Sequence, residues 1–297
     1  MHNNGFEIQT LRPDGLDRKQ QMTKNAFIAG LLFLLWLDPA SAESPFIRLA
    51  LNEQGDAMAL QVSIARYRNQ AGVELDLVSA VHVGDEGYFE ALNHQFSSYD
   101  SVLYELVTND PEADLDASTP AFSMIGFMQG GMKEALGLSY QLDVIDYSQS
   151  NFVHADMTVA EFQRSMDDRG ESMFKLFLRA WSVSMAQQSA GPSTPQPSLL
   201  GLLFAADRQQ KLKQIMAEQL ANPDQLDMLL NPEGGSTLIA GRNLKALEVM
   251  QQRISAGDQS LAIFYGAGHM PDFHDRLINE HDFEPVSTQW INAWQLN

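Results

Sequence analysis

"LDLVSAVHVGDEGYFEALNHQFSSYDSVLYELV", residues 75–107, decides how this chain folds. It opens inside a strand, Val73–Val81, whose second half is continuously apolar. That pattern marks a strand covered on both faces. His82-Val83-Gly84-Asp85 then breaks the strand. Phe89, Leu92 and Phe96 recur at helical spacing. "SVLYELV" at 101–107 is a second strand of the buried type. Strand, helix and strand in so short a span make a βαβ unit, so the two strands run parallel.

Working outward, Ile47, Leu49 and Leu51 share one strand face, and Leu60, Val62 and Ile64 share another. "NEQGD" at 52–56 lies between them as a turn, and the pair reads as a β-hairpin with one buried face. Downstream, the Met- and Gly-rich stretch Phe122–Leu138 reads as a buried helix. "TVAE" at 158–161 is a capping box that opens another helix. "SAGPSTPQPS" at 189–198 is a low-complexity break, an exposed loop or a tether. Leu199–Leu220 and Asn243–Ile254 are amphipathic helices. "SLAIFYGAG" at 260–268 returns to strand, and "FEPVSTQW" at 283–290 is a further strand. The expected class is α/β. A central, mostly parallel sheet carries an N-terminal β-hairpin and a helical insertion over about 112–257, in one domain spanning 43–297.

Residues 1–42 are set apart. Ala26–Leu37 is an apolar run of twelve residues behind Lys24. It is too short for a bilayer span, which needs about 20 residues. Asp38-Pro39 ends it, and Ala40-Ser41-Ala42 precedes Glu43 as a small-residue cleavage site. This reads as a secretory signal peptide, with translation starting at Met1 or, if the start is over-long, at Met22. The expectation is a periplasmic or secreted protein with no stable membrane anchor after cleavage. The chain has no cysteine, which excludes disulfides, thiolate metal sites and a lipid-modified cysteine. Its net charge of −19 repels nucleic acid and anionic lipid.

Three polar side chains fall where an α/β sheet carries its site, at or near the C-terminal ends of parallel strands. His82 ends one strand, His269 ends another, and Glu105 lies inside "VLYELV". Gly84, Gly266 and Gly268 flank the histidines and permit sharp turns there. A buried glutamate needs a partner, and a cation or a histidine would serve. Unpartnered and metal-free, burial would raise its pKa. Two histidines and a carboxylate suit a catalytic divalent metal with one position open to water. A lone strand-end histidine, by contrast, is commonly a hydrogen-bonded core residue. Arg242 is either a clamp for a substrate carboxylate or oxyanion, or an exposed arginine beside a helix that Asn243 caps. His154 and Asp156 are weaker candidates for the same shell. Asp156 reads more readily as a turn residue, and Asp85 as the cap of the helix after His82. His94, His274 and His281 read as solvated.

The stretches 77–107 and 263–273 resemble the TraB/PrgY/GumN family, which includes the Tiki metalloproteases. The family carries two G-x-x-H motifs, a glutamate on the strand after the first, and an Arg-Asn stretch before the second. Gly266-Ala267-Gly268-His269 matches the second motif, and Ser79-Ala80-Val81-His82 matches the first with serine in place of glycine. Glu105 and Gly241-Arg242-Asn243 match the remaining two. The resemblance implies an erythromycin-esterase/ChaN-like fold and a metal-dependent peptidase. Its metal would be Mn, Co or Zn on His82, Glu105 and His269, with Glu105, Arg242 and Asn243 serving catalysis. The expected substrate is a peptide or another small molecule. The alternative is a non-catalytic binder of a peptide or small ligand, such as a tetrapyrrole, on the same fold.

Overall fold

The computed structural model describes residues 46–109, 136–172, 207–222 and 236–297. All lie in one compact unit, Glu43–Asn297. The expected signal peptide, the low-complexity stretch 189–198 and all but the end of the helix expected at 122–138 fall outside the described residues.

The N-terminal hairpin forms as its alternation requires. Strands β1 (Ile47–Leu51) and β2 (Ala57–Asn69) pair antiparallel, with Ile47 opposite Val62 and Leu49 opposite Leu60. The Asn52 side chain closes the turn by accepting from the backbone N–H groups of Gln54 and Asp56. β2 outruns β1 and pairs antiparallel with β3 (Glu74–Ala80). Its other edge pairs along almost its whole length with the last strand, Phe283–Gln295. That strand is longer than the expected 283–290.

Beyond β3 the sheet is parallel. The predicted βαβ unit is present: β3, a short β4 (Val83–Gly84), helix α1 (Glu86–Phe96) and β5 (Ser101–Tyr104). β3 and β5 are parallel but not neighbours. Strand β8 (Ser260–Gly266) lies between them and pairs parallel with both. The stretch between β5 and β8 is not purely helical. It contributes β6 (Ser139–Tyr140), which pairs with β4, and β7 (Phe152–His154), which extends the sheet beside β5. It also holds α2 (Val159–Asp168), α3 (Arg208–Leu220) and α4 (Arg242–Ala256). Helix α5 (Met270–Glu280) precedes the final strand, β9.

Both faces of the parallel sheet are covered, which explains its continuous apolar runs. Phe89, Leu92 and Phe96 of α1 pack with Val78, Val102 and Phe264 on one face. Ala246, Leu247 and Met250 of α4 and Met270, Phe273 and Leu277 of α5 cover Leu77, Leu103, Ile263 and Tyr265 on the other. Each large apolar side chain buried this way contributes about 1.5–3 kcal/mol. The capping box of α2 forms as predicted: Thr158 Oγ1 accepts from Glu161 N, and the Glu161 carboxylate accepts from Thr158 N. No helix among the described residues is long and apolar enough to cross a membrane.

Two local expectations are corrected by packing. Asp85 occupies the N-cap position of α1, but its carboxylate makes no cap. It accepts instead from Lys213 of α3 and from the backbone N–H of Gln295, and so ties α3 and β9 to the loop after β3. Gly84 does not adopt a left-handed turn. A Cβ there would lie 2.9 Å from Tyr88 and 3.3 Å from the Ala293 carbonyl, so glycine is needed for the close approach of β9. Trp294 closes the same contact by donating to the Val83 carbonyl.

Candidate active site

The C-terminal ends of β3, β8, β5 and β7 lie side by side because those strands are parallel and in register. His82, His269, Glu105 and Asp156 each follow one of these ends by one to three residues. Gly266 is the last residue of β8 and stands at their centre. A Cβ on it would lie 3.4 Å from Glu105 Oε2, 3.7 Å from His82 Nε2 and 3.9 Å from His269 Cδ2. Its φ is −54°, so glycine serves here to leave space and not to make a sharp turn. The three residues expected to converge do so.

His269 closes a 3₁₀ turn, Ala267–His269, at the head of α5. Asn243 holds it twice. Asn243 Nδ2 donates to the His269 carbonyl at 3.0 Å and to Asp272 Oδ2 at 2.9 Å. With both amide hydrogens spent on oxygens, Asn243 Oδ1 is the atom 2.6 Å from His269 Nδ1, and that nitrogen must carry the proton. The lone pair is therefore on Nε2. It faces Glu105 Oε1 and Arg242 Nη1, each at 3.5 Å. Asn243 is buried in the second position of α4, whose N-cap is Gly241. It is a histidine anchor, not the cap expected from sequence.

Burial lowers the His269 imidazole from 6.5 to about 4; the Glu105 charge opposes this, and Arg242 and His82 reinforce it. The unfolded chain takes up this proton near pH 6.5, and the folded chain does not until about pH 4. The stability contribution is thus complete above pH 6.5 and is lost as pH falls toward 4. The loss is on the order of 3 kcal/mol. Urea unfolding in chelator from pH 7 to 4.5 should show this slope, and His269→Gln should flatten it. An unchanged slope in the variant would assign the acid sensitivity elsewhere.

Glu105 stands one residue past β5, whose ladder ends at Tyr104 rather than running to 107. Its backbone N–H still donates to the Phe264 carbonyl at 3.2 Å, which holds it against β8. Glu105 Oε2 accepts from Gly266 N at 2.7 Å, and Oε1 accepts from Arg242 Nη2 at 2.8 Å. Arg242 Nη2 and Nε also grip Asp156 as a two-point ion pair. The side chains are 8% (Arg242), 11% (Glu105) and 0% (Asp156) exposed. Arg242 is therefore buried, with Nε and Nη2 committed to the two carboxylates, and Asp156, at the bend before α2, is a buried counter-ion whose Oδ1 also accepts from Met157 N. Burial pushes the Glu105 carboxyl up, but Arg242, with smaller help from His269, His82 and the Gly266 N–H, holds it well below the usual range. The expected rise in metal-free protein is overturned because the cation is built in. Burial opposes the Arg242 charge, and the two carboxylates more than restore it.

His82 is the open member of the set: it is solvent-exposed. Its Nδ1 lies 3.2 Å from Gln141 Oε1. Gln141 was invisible to motif reading; only the pairing of β4 with β6 places it there. Ser79 fits without strain. It is fully buried, its hydroxyl lies 3.3 Å from that of Ser63, and its carbonyl accepts from Tyr88. His154 bonds the Leu106 carbonyl through Nε2 at 2.6 Å and packs edge-on against Tyr104. Of the three histidines read as solvated, His94 is exposed. His281 meets Gln251 in an exposed hydrogen bond. His274 is instead part-buried against Phe46 and bonded to the Tyr67 hydroxyl at 2.7 Å.

The donor chemistry suits a divalent cation: two imidazoles, His82 through Nε2 and His269 through its Cδ2 edge, and a carboxylate oxygen stand around one side-chain-free point. The spacing is that of a hydrogen-bonded cluster. Among the described residues no group of three or more His, Asp or Glu is drawn close enough to share an ion. Compared with family models, curated proteins and solved structures, the chain matches none.

Proposed function

We propose that this chain is an exported metal-dependent hydrolase, with peptides as its substrate class, of the TraB/PrgY/GumN kind and the erythromycin-esterase/ChaN-like fold. One observation supports the reading above the others: His82 Nε2, His269 and Glu105 Oε2 converge on Gly266 at the C-terminal ends of parallel strands. His82, His269 and Glu105 would hold the ion, and a bound Mn, Co or Zn supplies an acidified water and polarises a carbonyl. The remaining work belongs to the chain. Asn243 keeps the lone pair of His269 on Nε2. Arg242 keeps Glu105 ionised, so its carboxylate presents a charged oxygen to a cation. Gly266 leaves the volume that water and a substrate carbonyl require. The open side at His82 admits substrate, and the net charge of −19 favours neutral or cationic peptides.

A second reading, a non-catalytic binder of a peptide or small ligand, is supported by the Arg242 cluster. That cluster satisfies Glu105 and Asp156 without any metal. Metal analysis of purified protein beside His269→Ala, followed by a peptide-library digest read by mass spectrometry, separates the two. The hydrolase reading expects bound metal that the variant loses, and cleavage that chelator abolishes. Tight ligand binding with no cleavage under any of the three metals would establish the binder.

A further inference from the structure

We propose that Gln141 is the positioning residue of His82. It holds that imidazole with the proton on Nδ1 and the lone pair on Nε2, as Asn243 does for His269. The proposal deepens the reading of His82 as a site histidine and rests on it.

The β4–β6 ladder sets up the contact. Val83 pairs with Tyr140 and Gly84 with Ser139, so the next antiparallel pair brings Gln141 opposite His82. There Gln141 N donates to the His82 carbonyl at 2.9 Å, and Gln141 Oε1 meets His82 Nδ1 at 3.2 Å. Asn243 grips His269 at the same two places, the main-chain carbonyl and Nδ1. Two side-chain amide oxygens from unrelated parts of the chain thus meet Nδ1 of two histidines, while the His82 carbonyl is held by a backbone N–H and the His269 carbonyl by a side-chain amide.

The orientation of the Gln141 amide follows from its far end. Gln141 is 5% exposed, so both of its polar atoms need partners. Its Nε2 donates to the Tyr147 hydroxyl at 2.7 Å. Burial pushes the Tyr147 phenol up and the Glu105 charge adds to this, so the hydroxyl keeps its proton. The phenol oxygen keeps its lone pairs whichever way its hydrogen turns, and one of them receives the Gln141 Nε2–H. Gln141 Oε1 is then the atom that faces His82, and an acceptor there demands Nδ1–H. His82 is exposed, and solvent alone would leave its tautomer and ring angle unrestrained. An amide oxygen supplies the restraint without adding negative charge beside Glu105 and Asp156.

The test is the ring tautomer of His82 in the full chain with ¹⁵N-labelled histidine, its resonances assigned by their loss in His82→Gln. At neutral pH in chelator, wild type should show a protonated Nδ1 and an unprotonated Nε2. Gln141→Leu should average the two nitrogens, and Gln141→Glu, which keeps an acceptor, should keep Nδ1 protonated. A protonated Nε2 in wild type, or an unchanged tautomer in a folded Gln141→Leu, overturns the proposal. The wild-type spectrum decides even if Gln141→Leu does not fold. Calorimetric titration with Zn²⁺ alone provides a second readout: Gln141→Leu should weaken binding about 10–100-fold and Gln141→Glu should retain it. If wild type has the expected tautomer but binds no Zn²⁺, the positioning role stands and the metal-dependent reading fails.

Discussion

Arg242→Met lowers the thermal midpoint by roughly 10 °C at pH 7 in chelator, because breaking a buried ion pair costs about 3–5 kcal/mol and each kcal/mol moves a chain of this size about 2–4 °C. The side chain is nearly buried and its guanidinium serves two carboxylates at once. Methionine keeps the volume and removes all of those donors. Glu105 and Asp156 are then left desolvated without a cation, and each must take up a proton or draw in water. The sign with pH follows. In the variant Glu105 loses the cation that holds its carboxyl down and burial raises it instead, so acidification stabilises the variant relative to wild type. The gap in midpoint should therefore narrow between pH 7 and pH 5. Thermal melts of both proteins at the two pH values check this. A gap under 1 °C at pH 7 would mean that Arg242 is not what holds the cluster together.

Glu105→Gln weakens the fold by about 1.5–3 kcal/mol, the range for hydrogen bonds to a charged group, and under the proposed function it also abolishes peptide cleavage. The stability loss separates the structure from sequence reasoning, which expected burial to raise the pKa of a metal-free, unpartnered carboxylate. In the structure Glu105 accepts from both Arg242 Nη2 and Gly266 N. A glutamine can accept with one atom only, and its amide group would face one of those donors. The stability loss should fade as pH falls. The wild-type carboxyl is held well below its ordinary value, so its contribution is complete above that value and vanishes as pH drops through the folded one. Urea unfolding at pH 7 and pH 4, with a chelator-controlled peptide assay, reads both effects. Retained metal-dependent cleavage in the variant would reassign Glu105 to a purely structural role.

The βαβ core was legible because its signals are local. Apolar runs mark strands buried on both faces, and Phe89, Leu92 and Phe96 mark the buried stripe of α1. The capping box at Thr158 was legible for the same reason, since its partners are three residues apart. The insertion of β8 between β3 and β5 was not legible. Strand order is set by which surfaces bury best once the chain has closed, and no residue spacing states it. Strand β7 was missed because three residues are too few to show a period.

The candidate site divides the same way. Sequence alone placed His82 and His269 at strand ends and Glu105 within a strand, and it required that a glutamate among apolar neighbours be met by a cation or a histidine. It left the partner unnamed. Arg242, 137 residues away, and Asp156, 86 residues from Arg242, became that partnership only in three dimensions. Gln141 reached His82 through a two-residue ladder, and Asn243 left its expected cap to hold His269. Residue type determines which groups cannot be buried alone, because desolvation cost belongs to the group. The choice of partner depends on distance through space, and only the tertiary structure decides it.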